Sequence, residues 1–178
     1  MKMTHKLLVV FFFISGLLAA QTSEKYDLKI GLAFQKVEGL YWENGIAADL
    51  SSDYLLKKKL HLKFHYLSSR LGSAMGTNAI LQDNFIIGAD WRFRSEKSLQ
   101  IAAGFNTGLF VADYESDIFD GLPKASMLLA PEAGLYYQFK FPVSAGIVVG
   151  YNLINGNGVN VPGTLFPVYY RLSVLYNL

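Results

Sequence analysis

The feature that most constrains this chain is an alternation of large apolar residues with polar or small ones, repeated along most of its length. In the first such segment the large apolar residues are Tyr26, Leu28, Ile30, Leu32 and Phe34. Successive side chains of a β-strand point to opposite faces, so the segment predicts a strand with one apolar and one polar face. Beyond the first twenty residues the i, i+3, i+4 spacing of helices is missing, and the chain is predicted to be all-β.

Eight segments follow this pattern, and each is about ten residues long, the length at which a tilted strand crosses a bilayer. The predicted strands are 26–35, 46–54, 60–66, 85–93, 99–109, 129–139, 145–153 and 168–178. Pro131 falls within the sixth strand. Because proline cannot donate to a ladder, we expect a bulge or a local break there.

The first twenty residues read differently. Lys2 and Lys6 flank the start of an apolar run that ends at Leu18, and Ala19 and Ala20 supply small residues. This layout predicts a cleavable secretory signal peptide over 1–20 and a barrel domain over 21–178. The run is shorter than the ~20 residues that a spanning helix needs.

Composition excludes several classes of protein. The chain has no Cys, which removes disulfides, thiolate metal sites and a cysteine nucleophile. Only 17% of its residues are charged. Without Lys2 and Lys6, the 16 basic residues fall to 14, which equals the 14 acidic ones. A nucleic-acid partner is therefore not expected.

The polar faces of the predicted strands carry acidic and basic residues in nearly equal number. We expect them to pair inside a narrow closed barrel, since an unpaired buried charge is costly. The predicted charge network comprises Asp27, Lys29, Asp49, Asp53, Lys63, Asp90, Arg92, Glu132 and Arg171.

The connections alternate in length. Short ones are predicted at 56–59, 94–98 and 140–144, and longer ones at 37–45, 68–82, 112–126 and 154–166. Short turns at one rim and long loops at the other are typical of outer-membrane barrels, with both termini at the short-turn, periplasmic rim.

With these features the chain resembles the small eight-stranded outer-membrane β-barrels of Gram-negative bacteria, the OmpA- and OmpX-like group, from about Lys25 to Leu178. The resemblance implies an antiparallel up-and-down transmembrane barrel in the outer membrane, monomeric, in contact with outer-membrane lipid and lipopolysaccharide, and inserted by the barrel-assembly machinery. The last strand looks like the signal that this machinery reads. Its alternating residues are Tyr170, Leu172, Val174, Tyr176 and Leu178, the last of which departs from the family's preferred Phe.

Five inward positions near the outer rim are apolar or aromatic: Leu67, Ile86, Phe110, Leu128 and Tyr169. They admit two interpretations. They could form a shallow pocket for a small hydrophobic molecule, as in OmpW-like barrels, or they could pack against the bases of the loops.

Neither a catalytic site, a cofactor site nor a metal site is expected. His61 and His65 lie on one strand about 13 Å apart, too far to share a zinc ion. Ser68 and Ser69 follow His65 without a Gly-x-Ser-x-Gly elbow. The acidic residues of the third long connection lack EF-hand spacing; they are Asp113, Glu115, Asp117 and Asp120.

The sequence thus favours a barrel with a lumen filled by side chains, because eight strands leave little more room than that. The expected role is structural, or recognition and adhesion through the long loops. Three alternatives stay open: transport of small hydrophobic solutes, an outer-membrane lipid hydrolase, and a soluble periplasmic lipocalin-like binder.

Overall fold

The computed structural model describes residues 26–37, 42–69, 80–114, 124–155 and 167–178. The predicted signal peptide, residues 1–20, lies outside the described part. The strands are β1 (Tyr26–Val37), β2 (Trp42–Ser52), β3 (Leu60–Ser68), β4 (Ile80–Phe93), β5 (Leu99–Tyr114), β6 (Ala125–Gln138), β7 (Val143–Tyr151), β8 (Leu153–Asn155) and β9 (Val168–Asn177). Within these ranges no helix is long and apolar enough to cross a membrane.

The strands close into a ring. From β1 to β7 each strand pairs antiparallel with the next one in the chain, β7 pairs with β9, and β9 pairs with β1. Both β7 and β8 pair with β6, so together they form the seventh strand of the barrel. The predicted eight-stranded antiparallel up-and-down barrel is confirmed.

The strands are strongly staggered. Following paired residues once around the ring, the path that starts on β1 returns to β1 ten residues further along. The path is Asp27, Ser51, His61, Asp90, Gly104, Glu132, Gly150, Tyr169 and Val37. For eight strands this stagger corresponds to a tilt of about 40° and an interior just wide enough for side chains.

The apolar residues face outward. Ile147 is 66% exposed and Leu109 is 60% exposed, whereas the inward Arg171 is 1% exposed. A closed barrel with an apolar exterior is one of the two structures, with the α-helix, that satisfy every backbone hydrogen-bonding group within lipid. The lipocalin-like alternative is wrong, because a soluble barrel turns its apolar set inward.

Pro131 does not interrupt its own strand. β6 runs through it, and the register is the same on both sides, with Leu129 opposite Leu153 and Glu132 opposite Gly150. The break lies in the neighbouring strand at Asn152, which separates β7 from β8. Its N–H donates to the carbonyl oxygen of Pro167 at 2.7 Å, on the side that faces β9. The expected bulge or local break in the sixth strand is therefore wrong: the interruption lies in the partner strand, between β7 and β8.

The two ends of the barrel differ. The short-turn end carries the turns at 53–59, 94–98 and 139–142, together with Tyr26 and Leu178, and the loop end carries the connections 38–41, 70–79, 115–123 and 156–166. The first of these connections is shorter than predicted. Trp42 to Gly45 belong to β2, where Trp42 pairs with Lys36.

We expect Ile147→Arg to lower the free energy of unfolding in lipid bilayers by about 2–4 kcal/mol, because it places a guanidinium against the hydrocarbon. Ile147→Leu is the matched control and should change stability little. Urea titration monitored by tryptophan fluorescence measures both. Equal stability of the two variants would contradict the outward orientation of this face.

Candidate functional site: the charge network of the lumen

The centre of the lumen is organised around Glu132 on β6. Its carboxylate accepts hydrogen bonds from four side chains on other strands: Lys63, Arg171, Asn106 at 2.6 Å and Tyr169 at 2.6 Å. Asn106, Tyr169 and Arg171 donate to one carboxylate oxygen, Oε2, and Lys63 donates to the other, Oε1. Lys63 also contacts Asp90 at 2.6 Å.

A second cluster lies next to the first. Asp49 bonds to His61 Nδ1 at 2.6 Å and accepts from Arg92 at 2.5 Å. The guanidinium of Arg92 also lies 3.5 Å from the centre of the Tyr136 ring. Stacking and ion pairing together replace the water that this cation loses on burial.

The charges of the two clusters balance. Three carboxylates face three cations, each no more than 6% exposed; they are Asp49, Asp90, Glu132, Lys63, Arg92 and Arg171. Burying an ion costs several kcal/mol unless it is paired and hydrogen-bonded. The pairing therefore holds strands β2, β3, β4, β6 and β9 together. We call these six residues the lumen network.

Two glycines make room for the tyrosines that complete this network. A Cβ at Gly150 would lie 2.2 Å from the ring of Tyr169, and a Cβ at Gly146 would lie 2.4 Å from the ring of Tyr136. Each tyrosine is the cross-strand partner of its glycine. The rings therefore lie flat over the neighbouring strand, which brings the Tyr169 hydroxyl to Glu132.

Sequence reasoning missed one buried acid, Glu43. It is 0% exposed near the loop end and accepts hydrogen bonds from three amides: Gln35 at 2.6 Å, Gln82 and Asn84. Glu43 precedes Asp49 by six residues, an even number, and therefore lies on the same face of the strand. Extending the second predicted strand backward by three residues would have included Glu43. The predicted connection 37–45 had removed it from the strand.

The predicted charge network includes residues that lie apart from this centre. Asp27 is half-exposed at the short-turn end and pairs with Lys58 at 3.0 Å, and Lys29 donates to the side-chain oxygen of Gln138 at 2.7 Å. Asp53 was predicted wrongly. β2 ends at Ser52, and Asp53 begins the following turn, where it is exposed to solvent.

The five apolar residues predicted near the outer rim are tightly packed. Each is at most 3% exposed, and Leu67, Ile86, Leu128 and Tyr169 belong to one apolar cluster. This arrangement is a packed layer between the lumen network and the loop end. Phe110 is equally buried at 1%.

The candidate histidines and serines lie in separate surroundings. His65 is 3% exposed, and neither ring nitrogen contacts a hydrogen-bond partner within the described residues. Ser68 donates instead to Asp83 at 2.6 Å. The residues visible in the structure contain no cluster of three metal-ligating side chains. Of the acidic loop, Asp113 is exposed, and Glu115, Asp117 and Asp120 lie outside the described residues.

The alternating residues of the last strand all face outward. Their exposed fractions lie between 43% and 53%, and they are Tyr170, Leu172, Val174, Tyr176 and Leu178. They are thus accessible from the lipid side. That the barrel-assembly machinery recognises these residues stays a prediction.

Comparison with known proteins identifies the fold. The N-terminal β-barrel domain of Pseudomonas aeruginosa OprF matches with a TM-score of 0.60 at 14% identity, over 85% of this chain and 97% of that one. The outer membrane protein OprH of P. aeruginosa matches with a TM-score of 0.59 at 14% identity, over 85% and 99%. Neisserial surface protein A matches with a TM-score of 0.55 at 16% identity, over 88% and 97%.

The fold is that of the small outer-membrane β-barrels. The predicted OmpA- and OmpX-like architecture is confirmed, and the predicted location in the outer membrane agrees with it. No family model matches the chain, and no curated protein matches it. At 14–16% identity these likenesses establish the fold alone.

We expect Glu132→Gln to lower the free energy of unfolding by about 3–5 kcal/mol, because it leaves Lys63 and Arg171 buried without a shared counter-ion. Asp27→Asn removes one carboxylate from a half-exposed pair and should cost less than about 1 kcal/mol. Urea unfolding in bilayers compares the two. Similar losses of stability in the two variants would show that Glu132 contributes no more to stability than the half-exposed Asp27.

Proposed function

We propose that this protein is an integral outer-membrane barrel with a closed lumen, whose role is structural or is recognition and adhesion through the loops at one end. In this role the barrel is an anchor. The connections 70–79, 115–123 and 156–166 carry the contacts with partners, which we expect to include lipopolysaccharide.

One observation carries this proposal: the lumen network spans the interior from β3 to β6 and from β9 to β6. Lys63 reaches Glu132 from one side and Arg171 reaches it from another, all at most 6% exposed. A solute moving along the axis would have to separate these buried ion pairs, which is costly. The arrangement supports an anchor over a channel.

Transport of small hydrophobic solutes is less well supported. Such transport needs an open apolar entrance, whereas Leu67, Phe110 and Tyr169 are each at most 1% exposed. Their side chains already fill the space that a ligand would occupy. The packing supports a barrel that is closed at this level as well as at the lumen network.

Hydrolysis of lipids is also less well supported. A serine nucleophile needs a base within hydrogen-bond reach. Ser68 is bonded to Asp83, and His65 points into the lumen, away from the lipid surface where acyl chains arrive. These contacts support a non-enzymatic role.

The closed lumen has a direct test. Liposomes containing the protein should take up arabinose no faster than protein-free liposomes, since the paired charges block the axis. A general porin in the same liposomes is the positive control, and heat-modifiable gel mobility verifies that the barrel is folded. Uptake through the folded barrel would overturn the closed lumen.

The loops have a separate test. Replacing 70–79 and 115–123 with two-residue Asn-Gly turns should leave the heat-modifiable barrel intact, because such turns suit antiparallel strands. We expect the shortened protein to restore detergent resistance to a deletion strain if its role is structural. Loss of lipopolysaccharide binding by the shortened protein in nanodiscs would assign recognition to the loops. If the shortened protein keeps both detergent resistance and lipopolysaccharide binding, these two loops are required for neither property.

A further inference from the structure

Among the described residues, the interior holds one lysine outside the lumen network, Lys29, and it forms no ion pair. Lys29 on β1 is only 9% exposed and donates to the side-chain oxygen of Gln138 at 2.7 Å. A buried ammonium without a counter-ion is costly, so its surroundings need explanation.

Lys29 lines a cavity of ≈ 320 Å³ inside the short-turn end of the barrel. This size lies at the lower end of the range of small-ligand pockets, about 300–1,000 Å³. An ammonium group has three donors, and Gln138 accepts only one of them. Two N–H groups are therefore left for an occupant of this cavity.

The other lining groups suit an oxyanion. Ser51 and Ser95 contribute hydroxyl groups, and Asn177 contributes a side-chain oxygen that is buried and has no hydrogen-bond partner within the described residues. Hydroxyl groups donate to phosphate oxygens, and the free amide oxygen accepts from a hydroxyl of the same ligand. A phosphate group that carries or adjoins a hydroxyl matches this combination.

The charge around the cavity favours the same ligand. Asp27 and Lys58 also line it but pair with each other at 3.0 Å. Asp49, the cross-strand partner of Lys29, is bonded to His61 and Arg92 and forms no ion pair with Lys29. The exposed rim of the short-turn end is basic: its cations are Lys57, Lys59, Arg94, Lys97 and Lys140, and its acids are Asp53 and Glu96. A positive rim raises the local concentration of anions.

We propose that the cavity at the short-turn end binds a phosphate group, held by Lys29 at its buried end. In the outer membrane this end faces the periplasm and the inner leaflet, so two sources exist: a free phosphate or phosphate ester, and a phospholipid headgroup. The site lies at the opposite end of the barrel from the loops, and it borders the lumen network through His61, which lines the cavity and bonds to Asp49. It gives the barrel a ligand on its periplasmic side.

The test uses the mature protein in nanodiscs of neutral phosphatidylcholine and calorimetric titration with inorganic phosphate at constant ionic strength. We expect Lys29→Gln to weaken phosphate binding by about tenfold or more, the size of one lost charge-assisted hydrogen bond. Lys57→Gln removes the same charge from the exposed rim, outside the cavity, and should change the affinity less than about twofold.

A second variant keeps the proposal testable if Lys29→Gln does not fold. Ser95→Trp, in the exposed turn at 94–98, should block the cavity mouth and abolish phosphate binding without touching the lumen network. Heat-modifiable mobility verifies the folding of every variant. Equal weakening by Lys57→Gln and Lys29→Gln would overturn the proposal, because binding would then be general attraction to the rim.

Repeating the titration in nanodiscs that contain phosphatidylglycerol identifies the source. An unchanged isotherm supports a soluble phosphate, and loss of phosphate binding supports a lipid headgroup already in the cavity. The proposal fails if two results are found together. The wild type binds no inorganic phosphate, and phosphatidylglycerol raises the unfolding midpoint of the wild type no more than that of the Lys29→Gln variant.

Discussion

Closure of the backbone hydrogen bonds is the constraint on which the rest of this structure depends. In hydrocarbon no water is available to the N–H and C=O groups, so an open sheet edge would leave a row of them without partners. The pairing of β9 with β1 removes that edge. Because only eight strands close the ring, the interior is narrow, and every inward side chain must be accommodated by its neighbours.

This narrowness makes charge pairing the organising interaction of the interior. A soluble domain fills its centre with apolar side chains, whereas here the apolar residues are needed outside. The centre is filled instead by large charged groups, among which Arg92 and Arg171 are both at most 2% exposed. Glycines opposite Tyr136 and Tyr169 make the remaining room. The contacts that stabilise the interior are thus the same ones that we propose close the lumen.

The interior is not symmetric along its axis. Glu43, near the loop end, is satisfied by neutral amides, and Lys29, near the short-turn end, faces a cavity. Between them, the lumen network is balanced. An excess acid at one end and an excess cation at the other give the two ends of the barrel different chemistry, although the strands that build them are alike.

The sequence by itself determined the strand pattern and the two faces, because the alternation of side chains is a local property of an extended backbone. It therefore sufficed for the all-β barrel, for the outward apolar set and for most of the inward charges. It failed at strand ends, where Asp53 was assigned to the lumen and Glu43 was left in a connection. Only the tertiary structure decided which charges meet. Lys63 and Glu132 are 69 residues apart in the chain. They come together because the ten-residue stagger of the closed ring fixes the position of each strand along the barrel axis relative to the other strands.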